Sequence, residues 1–353
     1  MRKPPKIFGS LLTEVVRTEL CMYCGACIAS CPVNVIGGTN DESPTLTGVC
    51  ILCELCYYGC PRVELPLASI EKQIFGRTRR TDETCGVTVG IYSARVTNQE
   101  LQGRGQDGGV TTAILQHTLE KGLVDKVITV GVNASNPWKP VPTIASTKES
   151  LAENALSKYT ATGSLSALAD GALGYPDSDF AFVGLPCQMQ ALRRVASSPH
   201  GAKKLAERVK IAVSLFCYNT YKYKPLFTDY LKNQQGLDLG KITKVDCKSG
   251  RFKFYEGTNV AHEATVKDLQ TFIHPGCGKC QDFSGELSDI SVGNTGSEPG
   301  WCTVITRTSD SDRLFKEMAG SGVLELKPDP PTMDAVTKLS EAKRKRPAPY
   351  IRS

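Results

Sequence analysis

From residue 89 onward, short apolar runs alternate with stretches whose apolar positions recur every three or four residues. The runs at 90–97, 125–132, 179–184 and 210–216 read as strands, and 109–121, 149–157, 187–197 and 224–234 read as helices. Alternation of this kind predicts an α/β core. Residues 240–308 break the pattern, with strand-like runs at Arg251–Tyr255 and Cys302–Thr306 among many glycines. Helices at 310–319 and 332–345 are expected to close the fold. Residues 67–88, with Arg77, Arg79, Arg80 and several threonines, read as a linker. The expected division is 1–66, a linker at 67–88, and a core in two parts, 89–239 and 240–353.

Composition narrows the class. The chain has 353 residues, 41% hydrophobic and 22% charged, as in an ordinary globular protein of two or three domains. No apolar run approaches the roughly 18 residues of a membrane span. The first twenty residues include basic side chains but no long apolar stretch, so no secretory signal is expected. Net charge is +6, which fits plain solubility or a preference for an acidic ligand. Basic residues are scattered and aromatics make up 7%, which argues against nucleic acid. Lys343, Arg344, Lys345 and Arg346 read as a solvated helix end.

The fifteen cysteines change the picture. Cys21, Cys24, Cys27, Cys31 and Pro32 recur 29 residues later as Cys50, Cys53, Cys56, Cys60 and Pro61. This doubled C-x2-C-x2-C-x3-C-P run is the bacterial ferredoxin spacing, in which the fourth cysteine ligates the other cluster. One 4Fe–4S cluster is therefore expected on Cys21, Cys24, Cys27 and Cys60, and a second on Cys50, Cys53, Cys56 and Cys31. A zinc site would use four tetrahedral ligands, usually two separated pairs, not two complete runs of four. Ligation needs reduced thiolates, so a reducing, cytoplasmic setting is expected, with any membrane link made through a partner.

Further chemistry lies downstream. Gly103, Gly105, Gly108 and Gly109 precede a predicted helix, as in a phosphate-binding loop or a tight surface turn. The strand at 125–132 ends without the acid that a dinucleotide ribose needs, so NAD is not expected. Cys187 and Cys217 follow predicted strands, and Cys277 and Cys280 form a C-x2-C pair. These four could hold a third cluster, or be two buried thiols and a zinc half-site. Cys85, Cys247 and Cys302 read as free thiols. Of His117, His200, His262 and His274, only His274, just before the Cys277 loop, is a candidate proton donor.

Four stretches, taken together, resemble the beta subunits of coenzyme F420-reducing hydrogenases and their relatives. They are Gln106–Leu115, Gly184–Leu192, Leu215–Cys217 and Cys277–Phe283 with its continuation to Gly293 and Gly300–Trp301. The N-terminal ferredoxin repeat further resembles the branch formed by F subunits of archaeal reduced-F420 dehydrogenases, electron-input arms of complex-I-like membrane assemblies. The resemblance implies an N-terminal double 4Fe–4S ferredoxin domain followed by an α/β flavin-binding core. It implies one FAD near Gln106, Asp107, Gly108, Gly109, Val110, Thr111 and Thr112 and near Ser157, Lys158, Tyr159 and Thr160. It supports Cys187, Cys217, Cys277 and Cys280 as third-cluster ligands, and it implies coenzyme F420 as substrate, with Lys158 as the first candidate for its acidic tail. Relatives commonly have a hydroxyl or amide residue where this chain has Cys302.

The expected function is hydride exchange with F420 at FAD, followed by single-electron transfer through three 4Fe–4S clusters to a redox protein partner. That partner would be a membrane-bound complex-I-like assembly or a soluble reductase complex. Two other readings stay open: a passive ferredoxin-type carrier without a hydride site of its own, and a ferredoxin-dependent reductase of another organic substrate.

Overall fold

The computed structural model describes residues 4–39, 42–348 and 350–351. Near the N-terminus, Phe8–Val16 winds as one helical segment, and each cysteine run opens a short helix, Ala26–Ala29 or Leu55–Tyr58. An antiparallel hairpin of β1 (Ile36–Gly38) and β2 (Pro44–Leu46) lies between the runs. Phe8, Leu11, Val15, Ile36, Tyr57 and Val63 form a small core for this module, which the cysteines border.

The core is one eight-stranded sheet. Its first five strands in the chain are β3 (Gly90–Val96), β4 (Lys126–Val132), β5 (Pro140–Ala145), β6 (Phe180–Gly184) and β7 (Val209–Leu215). After an excursion come β11 (Ile290–Gly293), β12 (Cys302–Thr306) and β13 (Leu324–Leu326). The order across the sheet is β13-β3-β12-β11-β7-β6-β4-β5. Strands β4, β6, β7 and β11 are parallel, and antiparallel strands flank them. Successive side chains point to opposite faces, so Ala181 and Val183 join one core and Phe180 and Phe182 the other. Helices Val110–Glu120 and Ser309–Gly320 cover the first face; Ala167–Gly174 and Pro186–Ser197 cover the second. Burial on both sides explains why the parallel strands read as continuous apolar runs.

The excursion after β7 contains a π-wound helical segment, Lys224–Gln234, and a separate antiparallel sheet. That sheet comprises β8 (Lys244–Lys248), β9 (Arg251–Glu256) and β10 (Asn259–Thr265). Phe227, Leu231, Val245, Phe252 and Phe254 give it its own core.

Two expectations need correction. Residues 67–88 are not a free linker. Leu67–Phe75 is a helix whose Ile70 is buried in the core, and Arg79 bridges Glu71 and Glu286 in a nearly buried triad. Nor is Lys343–Arg346 a solvated end. Lys343 is 1% exposed, Arg344 pairs with Glu286, and Arg346 donates to the Cys277 carbonyl at 2.6 Å. The ferredoxin module docks directly on the core: the Leu165 amide donates to the Cys24 carbonyl, and Arg194 pairs with Glu64.

Candidate functional site

The 29-residue repeat of the sequence is also a repeat of the backbone. Tyr23 and Leu52 occupy the left-handed region (φ 51° and 59°), as do Gly25 and Glu54 (φ 90° and 65°). Such φ values are unusual outside glycine. Here they turn amides toward sulfur: Tyr23 donates to Cys21 Sγ and Leu52 to Cys50 Sγ, both at 3.4 Å. Val35 donates to Cys31 Sγ at the same distance.

Cysteines of the two runs are interleaved as the spacing requires. Cys31, Cys50, Cys53 and Cys56 line one cavity. Cys21, Cys24, Cys27 and Cys60 lie together; burial pushes the Cys24 thiol up to about 12, and neighbouring Cys60 adds to the effect. The same causes raise Cys27, with Cys21, Cys24, Cys60 and also Cys56 among its neighbours, so the two sets adjoin.

Cys187, Cys217, Cys277 and Cys280, distant in sequence, line a second cavity with Met22, Thr220 and Lys343. Cys187 stands in the first turn of helix Pro186–Ser197 at the carboxyl end of β6, and Cys217 lies two residues beyond β7. Cys277 and Cys280 come from the tight turn at Pro275–Lys279. The Thr220 amide donates to Cys277 Sγ at 3.3 Å. Burial pushes the Cys217 thiol up to about 12 and Cys187 well up, with Cys24 of the ferredoxin module among the neighbours of Cys187. Burial would raise Cys280 too, but Lys343 and Arg62 beside it hold it low. Among the described residues, no three His, Cys, Asp or Glu side chains converge where a single metal ion could sit. The thiols instead gather in fours, and amides point at their sulfurs, an arrangement that fits a multi-atom sulfide cluster.

The three sets form a series. Met22, next to Cys21, lines the interior cavity, and a Cβ on Gly276 would run into the Cys21 carbonyl oxygen. The interior set thus abuts the Cys21 set, which abuts the Cys50 set. The last is the most open: Cys53 is exposed beside the exposed Val33, Val49, Ile51 and Leu52, whereas Cys277 and Cys280 of the interior set are buried.

The glycine loop and the Ser157 segment also meet. Gln106 accepts from the Ser157 amide at 3.2 Å and donates to the Val245 carbonyl and Asp246 on β8. Asp107 pairs with Lys248 at 2.8 Å. Tyr159 packs edge-on against Phe252, and the buried Thr160 hydroxyl has no hydrogen-bond partner. From there, Ala161 and Thr162 enter the lining of the interior cysteine cavity. The glycines themselves answer to packing. A Cβ on Gly108 would crowd the Ala94 carbonyl at 3.0 Å, and Gly109 is left-handed (φ 70°) at the start of helix Val110–Glu120, whose first turn holds Thr111 and Thr112. Cys302 is buried and packs against the loop: a Cβ on Gly108 would lie 3.2 Å from its Sγ.

Two candidates are placed otherwise than their proposed roles require. Lys158 donates to the Asn154 and Ala155 carbonyls at 2.6 and 2.7 Å, and burial pulls its ammonium down to about 8. It caps a chain turn. His274 is buried between the Glu42 carbonyl and Thr220, and burial lowers it to about 4, so near neutrality it is no imidazolium donor. The residues that sequence reasoning passed over are Met22, Arg62, Thr220 and Lys343. The position of Arg62, directly after the second Cys-Pro, was the one available signal.

A mixed α/β core fused to a ferredoxin-type module defines the class, an iron–sulfur oxidoreductase component. Similarity to known proteins specifies which. Two family models of the coenzyme F420 hydrogenase/dehydrogenase beta subunit match, the N-terminal one over residues 91–169 and the C-terminal one over 177–332. Residues 14–37 match the family model "4Fe-4S binding domain". The beta subunit of the coenzyme F420 hydrogenase of Methanothermobacter thermautotrophicus is 32% identical over 72% of this chain and 91% of its own length. The coenzyme F420-dependent sulfite reductase of Methanocaldococcus jannaschii is 33% identical over 95% of this chain but only 50% of its own. The F subunit of the F(420)H(2) dehydrogenase of Methanosarcina mazei is 27% identical over 99% of this chain and 94% of its own. A chain in the xenon-derivatised F420-reducing [NiFe] hydrogenase complex from Methanosarcina barkeri superposes with a TM-score of 0.71 and 30% identity, covering 76% of this chain and 92% of that one. The chain belongs to the family of coenzyme F420 hydrogenase/dehydrogenase beta subunits.

Proposed function

We propose that this chain exchanges a hydride with coenzyme F420 at a bound FAD and passes single electrons through three 4Fe–4S clusters to a partner protein. The observation that carries this reading is the series of three adjoining cysteine sets, running from buried Cys277 and Cys280 to exposed Cys53. FAD would supply the exchange between a two-electron donor and one-electron carriers. The Gln106–Thr112 loop and Ser157–Thr160 are the residues proposed to hold it, and the partnerless buried Thr160 hydroxyl fits a polar ligand there. Segment 157–162 then spans from that loop to the interior cavity, over at most about 20 Å of extended chain. Cys187, Cys217, Cys277 and Cys280 would hold the first cluster on the route, Cys21, Cys24, Cys27 and Cys60 the next, and Cys31, Cys50, Cys53 and Cys56 the exit.

The partner is proposed to be another component of a redox complex. The sulfite reductase relative supports a second acceptor class, since its similarity also runs through the ferredoxin module. No helix among the described residues is long and apolar enough to cross a membrane, so any membrane association is proposed to run through the partner.

The test is direct. The anaerobically purified chain is expected to hold about twelve irons and one FAD, and to oxidise reduced F420 with an artificial acceptor. NADH should not replace F420. Absence of FAD would favour a passive carrier, and iron near eight would remove the interior cluster from the route.

A further inference from the structure

Two cations are buried where the interior cysteine set meets the ferredoxin module. Lys343, in the last turn of helix Met333–Arg344, is 1% exposed, lines the cavity of Cys187, Cys217, Cys277 and Cys280, and donates to the Cys217 carbonyl at 2.9 Å. The buried carboxyl of Asp282 attracts it from beyond ion-pair distance, and burial holds that carboxyl above the usual carboxylate range, so it is a weak counter-charge. Arg62, also 1% exposed, donates to Met22 Sδ, while its Nε and Nη1 find no protein partner. A buried charge without a counter-charge is strongly disfavoured in a low-dielectric interior. Four thiolates on a 4Fe–4S core in its 2+ state make a net charge of −2, and Lys343 with Arg62 supplies +2.

We infer that Lys343 is a potential-setting residue: its buried ammonium balances the charge of the cluster held by Cys187, Cys217, Cys277 and Cys280 and makes that cluster easier to reduce than it would otherwise be. This rests on the proposed third cluster. The reasoning is electrostatic. One-electron reduction adds a negative charge inside the cavity, and a fixed cation a few ångströms away stabilises the reduced form more than the oxidised one. Cluster potentials respond to net charge and hydrogen bonding around the sulfurs. Lys343 touches the interior set alone, whereas Arg62 also faces the Cys21 set, so the two cations act on different numbers of clusters.

The experiment is a potentiometric titration followed by electron paramagnetic resonance on the holoprotein, with iron counted first. About twelve irons in the wild type establish that the interior cluster exists; about eight there would overturn the parent reading and this inference with it. With the cluster present, Lys343→Met should shift only the interior signal, to lower potential by about 59 mV, a tenfold change in the one-electron equilibrium. Lys343→Arg, which keeps the charge, should restore the wild-type value. An unshifted interior signal in Lys343→Met overturns the inference. If Lys343→Met fails to hold four irons, Lys343→Arg decides. Retention of the cluster at wild-type potential upholds the charge requirement, and loss of the cluster there too makes Lys343 a structural strut and sinks the inference.

Discussion

Positions 25 and 54 are equivalent in the ferredoxin repeat, yet one is glycine and the other glutamate. Both are left-handed, so backbone geometry alone does not explain the difference. Packing does: a Cβ at position 25 would collide with the Gly163 carbonyl oxygen and lie 2.7 Å from the Ser166 amide. The first loop is pressed against the core and the second is not. Gly25→Ala is therefore expected to lower the thermal unfolding midpoint, by at least the roughly 1–2 kcal/mol of a left-handed alanine. It should also loosen iron on the Cys21 set, seen as lost absorbance on mild chelation. Arg79 makes a second residue-scale case. Its side chain pairs with Glu71 and Glu286, which are 2% and 6% exposed, and Arg344 is a further partner of Glu286 alone. Arg79→Met leaves Glu71 buried without its cation, and a loss of about 3–5 kcal/mol is expected in denaturant unfolding.

Elements divide the electron route into testable pieces. Cys53 lies in the loop before helix Leu55–Tyr58, while Cys277 lies in the turn under the C-terminal helix. Serine oxygen is a poor replacement for thiolate on iron. Cys53→Ser should leave a single rapid reduction of flavin by reduced F420 intact while steady transfer to the protein acceptor collapses. Cys277→Ser should impair both. Stopped-flow absorbance and turnover on the two variants check this, and full acceptor turnover in Cys53→Ser would rule out the ferredoxin module as exit. Long periodic elements were legible in the sequence: β3, β4, β6, β7 and β12, with helices Val110–Glu120, Pro186–Ser197 and Ser309–Gly320, lie within a residue or so of expectation. The misses have physical causes. Strand β5 contains Pro140 and Pro142, which a ladder tolerates because β5 is an edge strand. The expected helix at 149–157 stops at Glu153, and Leu156 beyond it is left-handed (φ 71°). Helix Leu67–Phe75 follows Pro66 and is built by contact with the core, which local pattern does not encode. At the site, the ferredoxin ligand sets follow from spacing, and the interior four were grouped from their places after strands and in a C-x2-C pair, with a zinc half-site left open until the resemblance favoured a cluster. The burial of Lys343 left no trace in sequence, because a basic run reads as solvated wherever it falls.

For the whole molecule, the proposed exit face is the part that would meet a partner. Val33, Val49, Ile51 and Leu52 surround exposed Cys53, with Val49 85% exposed. A charge placed there should hinder docking without touching the chemistry behind it. Leu52→Glu is expected to cut transfer to the protein acceptor about tenfold, ~1.4 kcal/mol, while oxidation of reduced F420 with an artificial dye stays unchanged. Equal loss in both assays would mean that the substitution damages the cluster itself. At the opposite end of the route, F420 binding should weaken with added salt, since an acidic tail is met by basic side chains whose attraction is screened; a titration at two ionic strengths reads this.

Cys217 precedes the excursion with its π-wound segment and three-stranded sheet, and Cys277 follows it, sixty positions on. Both end at the same cavity. The excursion is thus pinned at its neck, and it is tied a second time through β8, where Val245, Asp246 and Lys248 hold Gln106 and Asp107. Lengthening such a loop is thermodynamically mild, since doubling it adds only about 0.6 kcal/mol of closure entropy. The outer turns of the excursion can therefore change in size or surface while β8, Thr220 and the ligand geometry at its base stay put. Divergence of substrate preference would then accumulate in residues 218–276, and the electron route would be inherited unchanged.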